Sequence, residues 1–157
     1  MKRSECIANR LREVLLNGHW VANTNYKEQL QDITWEQATQ KFDCLNTIAA
    51  LTYHINYYMV GLLNVFECGV LDIKDKYSFD LPTIKSEKDW QILLTGFLEN
   101  SEKFADQISQ MPEGKLDEPF VEEKYGSYLR NIEALIEHSY YHLGQISLIK
   151  KMIFGKN

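Results

Sequence analysis

The strongest constraint on this chain is a rhythm in its last third. Over residues 127–154, Tyr128, Ile132, Leu135, Ser139, His142, Ile146, Ile149 and Ile153 return in steps of four and three. A helix spaced this way buries one stripe along its whole length against other helices. A strand, which alternates every second residue, cannot put these positions on one face. One histidine sits in the stripe and another, His138, lies beside it.

Two more segments keep the same rhythm. Residues 44–67 place Cys44, Ile48, Leu51, Ile55, Tyr58, Leu62 and Val65 on one stripe, with Thr47, Ala50, His54, Tyr57 and Gly61 on a parallel one. Behind Ser86-Glu87-Lys88-Asp89, an N-cap with acids in the first turn, come Trp90, Leu93, Leu94, Phe97, Leu98, Ser101, Phe104 and Ile108. A fourth helix over residues 4–16 carries Ile7, Leu11, Val14 and Leu15, with a stop at Asn17-Gly18. Shorter pieces are a helical turn around residues 27–30 and a capping box at Thr34-Trp35-Glu36-Gln37. Gly69 is a C-cap, Pro112 with Gly114 a stop, and Lys150, Lys151 and Lys156 suit the negative end of the last helix. These signals predict an all-α fold, a four-helix bundle forming one domain over residues 1–157. The connections 70–85 and 111–126 can each reach about 50 Å, farther than a 24-residue helix of about 36 Å. The second and third long helices can therefore form an up-down hairpin or run parallel through a crossover.

Composition narrows the class. The net charge of −5 argues against a surface built to neutralise phosphates. Cys6, Cys44 and Cys68 are widely spaced and form neither a zinc knuckle nor a disulfide framework. With no apolar signal core and no run of about 20 apolar residues, the expectation is a soluble cytoplasmic protein. Cys44 and Cys68 are read as buried hydrophobes.

Histidines four apart on a helix stand about 40° apart around its axis and about one turn along it. The rings of His138 and His142 can therefore close on one ion, and a facing helix can bring His54 as third ligand. Three neutral imidazoles with open positions make a catalytic type of metal site, whereas structural zinc is usually closed by four ligands. The plainer reading has the same rings paired inside the core with Tyr57, Tyr140 or Ser139. Several sharper motifs are absent. His-Ser-Tyr-Tyr-His lacks the glutamate of an HExxH protease, and neither histidine has a glutamate three residues before it, as di-iron bundles require. There is no Gly-rich phosphate loop and no Gly-x-Ser-x-Gly elbow.

Leu51-Thr52-Tyr53-His54 on one helix, followed far downstream by His138, His142 and Leu143-Gly144-Gln145-Ile146 on the last, resembles the DinB/YfiT superfamily of metalloenzymes. The likeness spans nearly the whole chain as an order of helices, but its specific part is short. It implies a left-handed bundle with up-down-down-up connectivity, a homodimer, and a His54–His138–His142 site for zinc or nickel, with manganese or iron as further candidates. Some relatives are thiol-dependent transferases or isomerases and others hydrolases. The resemblance therefore implies a metal-dependent hydrolase or thiol-dependent S-transferase acting on a small molecule, with a low-molecular-weight thiol as a candidate partner. The rival is a non-catalytic dimeric bundle for binding or stress response, suggested by the lack of an obvious general base or charged substrate clamp.

Around the triad, Gln145 is placed to hold the His142 ring or a metal-bound water. Glu137 is a weaker candidate to orient His138, since an immediate neighbour points about 100° away. Gly144 is read as a point of close helix packing, and the His19-Trp20 loop as a candidate cover for the mouth of the site.

Overall fold

The computed structural model describes residues 1–155; Lys156, expected at the negative end of the last helix, lies outside them. Among the described residues there are seven α-helices and no β-strand. The four long segments are α1 (Arg3–Arg12, continuing as a π-turn over Glu13–Asn17), α4 (Ile48–Cys68), α5 (Glu87–Gln110) and α7 (Tyr128–Phe154). Short helices α2 (Tyr26–Leu30), α3 (Trp35–Thr39) and α6 (Glu113–Asp117) sit in the connections. Among the described residues no helix is long and apolar enough to cross a membrane.

The helix ends follow local chemistry. Thr34 accepts the Gln37 amide while the Gln37 side chain accepts the Thr34 amide at 3.0 Å, a reciprocal cap for α3. Ser86 and Ser127 cap α5 and α7 with their hydroxyls alone, which accept the Asp89 and Arg130 amides. Gly69 closes α4 at φ 73°, a conformation that costs a residue with a Cβ more than it costs glycine. The expected start of α4 at Cys44 needs correction. Thr47 is its N-cap, accepting the Ala50 amide at 3.1 Å, so Cys44 lies in a turn and is exposed. Cys68 is exposed as well, at the last residue of α4, so neither cysteine is a core hydrophobe.

Side-chain pairs fix how the long helices run. Ser4 meets Ser109 and Glu113, whereas Arg12 meets Asp106 and Glu102, so α1 and α5 are antiparallel. Asn56 bonds Asn100 and Glu67 pairs with Lys103, which makes α4 and α5 parallel. His54 lies against His138 and His142 while Phe66 lies against Tyr128, so α4 and α7 are antiparallel. Parallel α4 and α5 oblige the chain to travel back the length of α4 between them.

The core between these helices holds Trp90, Tyr26, Phe97 and Phe104, all fully buried. Burial of indole or phenol requires a partner for its polar atom. Trp90 Nε1 donates to the Ile33 carbonyl at 2.8 Å, and Tyr26 Oη donates to the Ser139 carbonyl at 2.9 Å. The second bond ties α2 to α7 one residue beyond His138.

Candidate metal centre

Placement of the three histidines follows from two stripes. On α4, His54 is one position from the core residue Ile55, and on α7, His142 lies in the core stripe with His138 a turn earlier. The antiparallel crossing brings these levels together. His138 Nε2 stands 3.2 Å from His54 Nε2 and 2.8 Å from His142 Nε2. The three candidate ligand atoms all lie within 4.8 Å of one another. His54 and His142 are each 6% exposed, and His138 is half-buried.

The other ring nitrogens decide the tautomers. His54 Nδ1 lies 3.2 Å from the Ser78 carbonyl, which can only accept, so Nδ1 carries the hydrogen and Nε2 is a bare lone pair. With its amide oxygen facing the ring, Gln145 does the same for His142, accepting from Nδ1 at 2.6 Å. Two lone pairs thus converge on His138 Nε2, which has at most one hydrogen to offer when the ring is neutral. One of the two acceptors is left without a donor inside the cluster. Protonation is a poor remedy. Burial, then repulsion from His142 and His54, lowers His138 to about 4, and burial lowers His54 and His142 as well.

A cation satisfies what a proton does not. At zinc–nitrogen distances of about 2.0–2.1 Å, two imidazole nitrogens on one ion lie about 3.3 Å apart for tetrahedral and about 2.9 Å for octahedral angles. The His54–His138 separation of 3.2 Å falls between these values and the His138–His142 separation of 2.8 Å lies just below them, while all three ligand atoms stay within 4.8 Å of one another. The three rings therefore lie close enough to hold a metal ion.

The connection after α4 builds the rest of the site. It runs back along the helix in register: Ile73 packs on Gly61, the Lys74 backbone binds Tyr57 Oη, Asp75 accepts from Tyr58 Oη at 3.0 Å, and Ser78 and Phe79 meet His54. Phe79 stacks on the His54 ring with centroids 4.0 Å apart and planes 13° from parallel. Tyr58 stands in a T-shaped arrangement with both His54 and His138. Beside His138, between α4, α7 and this connection, opens a cleft of about 630 Å³.

Other sequence candidates fall elsewhere. Glu137 is exposed and pairs with Arg130, not with His138. His19 pairs with Glu28 at 2.5 Å, and Trp20 is 92% exposed, so neither covers the triad. A Cβ on Gly144 would meet nothing within 4 Å, so this glycine marks open surface, not close packing within the chain. None of the suggested polar partners takes a histidine: Tyr57 binds Lys74, Tyr140 binds Glu13, and Ser139 Oγ donates to the Leu135 carbonyl. Ser78 and Phe79 were not readable as site residues, because a backbone carbonyl and a loop aromatic leave no spacing signal. No family model, curated protein or solved structure matches the chain.

Proposed function

We propose that His54, His138 and His142 hold a divalent metal, zinc or nickel before manganese or iron, in a metal-dependent enzyme of the DinB-like type. The observation that carries this reading is the convergence of three Nε2 atoms, two of them stripped of hydrogen by Ser78 and Gln145. The ion, when bound, would supply Lewis acidity and lower the pKa of a water or thiol in its open positions. His54 and His142 ligate through rings that their Nδ1 partners hold in place. The α4–α5 connection excludes water from one side of the triad, and the cleft beside His138 leaves the other side for a small substrate. Hydrolysis or thiol-dependent S-transfer fits such a site, because both need an activated nucleophile, a water in one case and a low-molecular-weight thiol in the other.

The family reading is supported by the helix directions, which follow an up-down-down-up order for α1, α4, α5 and α7, and by the place of the triad on the second and fourth of these. A cytoplasmic setting agrees with three cysteines that form no disulfide. A homodimer is suggested by Tyr141, Leu148 and Met152, exposed apolar residues along one side of α7 with the open Gly144 between them; a monomer by light scattering at micromolar concentration would remove this part.

The test is metal content. Protein purified without a histidine tag and incubated with Zn, Ni, Mn or Fe is expected to retain about one ion per chain, lost in a folded His142→Ala variant. Retention of no ion would end the enzyme reading and leave a metal-free helical bundle for binding.

A further inference from the structure

The cleft beside His138 has a wall chemistry that selects its occupant. Its volume of about 630 Å³ lies within the usual range of about 300–1,000 Å³ for small-molecule sites. Leu62, Leu71, Ile73, Phe120 and Leu135 supply apolar surface, and His138 is the lining residue that belongs to the triad. Four of the six polar side chains in the lining, Tyr58, Asp75, Asn131 and His138, are already engaged in hydrogen bonds. Both hydrogens of the Asn131 amide are donated, to the Tyr125 and Ser127 carbonyls at 2.8 Å each. Tyr58 Oη donates its hydrogen to Asp75. Two charged residues line the cleft, Lys74 and Asp75, neighbours of opposite sign that are both exposed at the rim. A phosphate or carboxylate site needs several convergent donors or a paired guanidinium, and this lining has neither.

We propose that the cleft binds a small, uncharged, largely apolar molecule, aromatic or branched, whose lone-pair-bearing end faces His138. Aromatic walls at Tyr58, Phe120 and Tyr125 suit a flat ring, and apolar burial supplies most of the affinity. Lys74 and Asp75 contribute one charge of each sign, so the lining carries no net charge to hold a charged head. This rests on the metal reading only for the end that faces His138; the apolar contacts stand without it.

The experiment is a titration of the full chain followed by methyl and amide NMR. The probe is 4-phenylimidazole, uncharged at about pH 8, compared with phenyl phosphate, with and without one equivalent of zinc. Saturating shifts are expected at Leu62, Leu71, Ile73 and Leu135 in zinc-free protein, and on the order of tenfold tighter binding with zinc. Ala134→Phe on α7 and Leu71→Trp on the α4–α5 connection fill the cleft from two elements, and each is expected to weaken binding on the order of tenfold while zinc still binds. Shifts absent from these methyls, binding unchanged in both filled variants, or phenyl phosphate binding more tightly would each overturn the proposal. Cleft shifts in a protein that binds no zinc would support the apolar site and refute the metal reading instead.

Discussion

Replacing Gln145 with leucine removes the acceptor on His142 Nδ1 and little else. The amide oxygen takes a 2.6 Å hydrogen bond from the ring, and Gln145 has no other side-chain hydrogen bond among the described residues. Without that acceptor the ring can carry its hydrogen on Nε2, the atom that faces the triad, and it is freer to rotate. Loss of such an outer partner typically weakens metal binding about 10–100-fold, or about 1.4–2.7 kcal/mol. The His54 partner is a backbone carbonyl, so Ser78→Ala keeps it and serves as the control. Zinc affinity by competition with a chromophoric chelator measures both. Nitrogen-15 spectra of the metal-free protein add the tautomer: His142 is expected to be Nδ1-protonated in wild type and mixed in Gln145→Leu. An affinity within about twofold of wild type, with the tautomer unchanged, would refute the orienting role.

Three further outcomes follow from the same geometry. Protons compete with the ion for Nε2, and all three rings have lowered pKa values, His138 at about 4. Zinc affinity is therefore expected to change little between about pH 7.5 and 6.5 and to fall steeply as the pH drops toward 4; a loss already half complete near the ordinary histidine value would contradict burial as the cause. The metal-free protein follows the same sign. Its unfolded chain takes up these protons first, so stability is whole above about pH 6.5 and declines as the pH falls toward 4. Gly61→Ala would set a Cβ 2.7 Å from Ile73 Cδ1 and 2.8 Å from its Cγ2, too close to stand. Displacement of the connection is expected to cost about 1–3 kcal/mol in chemical denaturation and to weaken zinc binding through Phe79 and Ser78. Unchanged values of both would detach the connection from the site.

The long helices were legible because each carries its own period, helped by the Ser86 cap that opens α5 and the Gly69 that closes α4. The histidine pair on α7 was legible for the same reason, since a spacing of four fixes which face both rings share. His54 required the further step of matching two stripes across the antiparallel helices. What stayed hidden was the route of the α4–α5 connection. Its length allowed a crossover, but nothing in residues 70–85 announces that Ile73, Asp75, Ser78 and Phe79 meet successive turns of α4. Contacts of this kind depend on one glycine without a Cβ, a carbonyl and a stacked ring, none of which is periodic. Cys44 was misplaced because its heptad position continues the stripe by one step past Thr47, where the cap ends the helix.

X-ray absorption at the zinc edge of the loaded, tag-free protein tests the central claim most directly. A first shell containing three imidazole nitrogens at about 2.0–2.1 Å, completed by light-atom ligands from solvent, is the expected spectrum, and His54→Ala should remove one imidazole from it. A shell of sulfur, or of oxygen with fewer than two imidazoles, would show that the three rings do not share an ion.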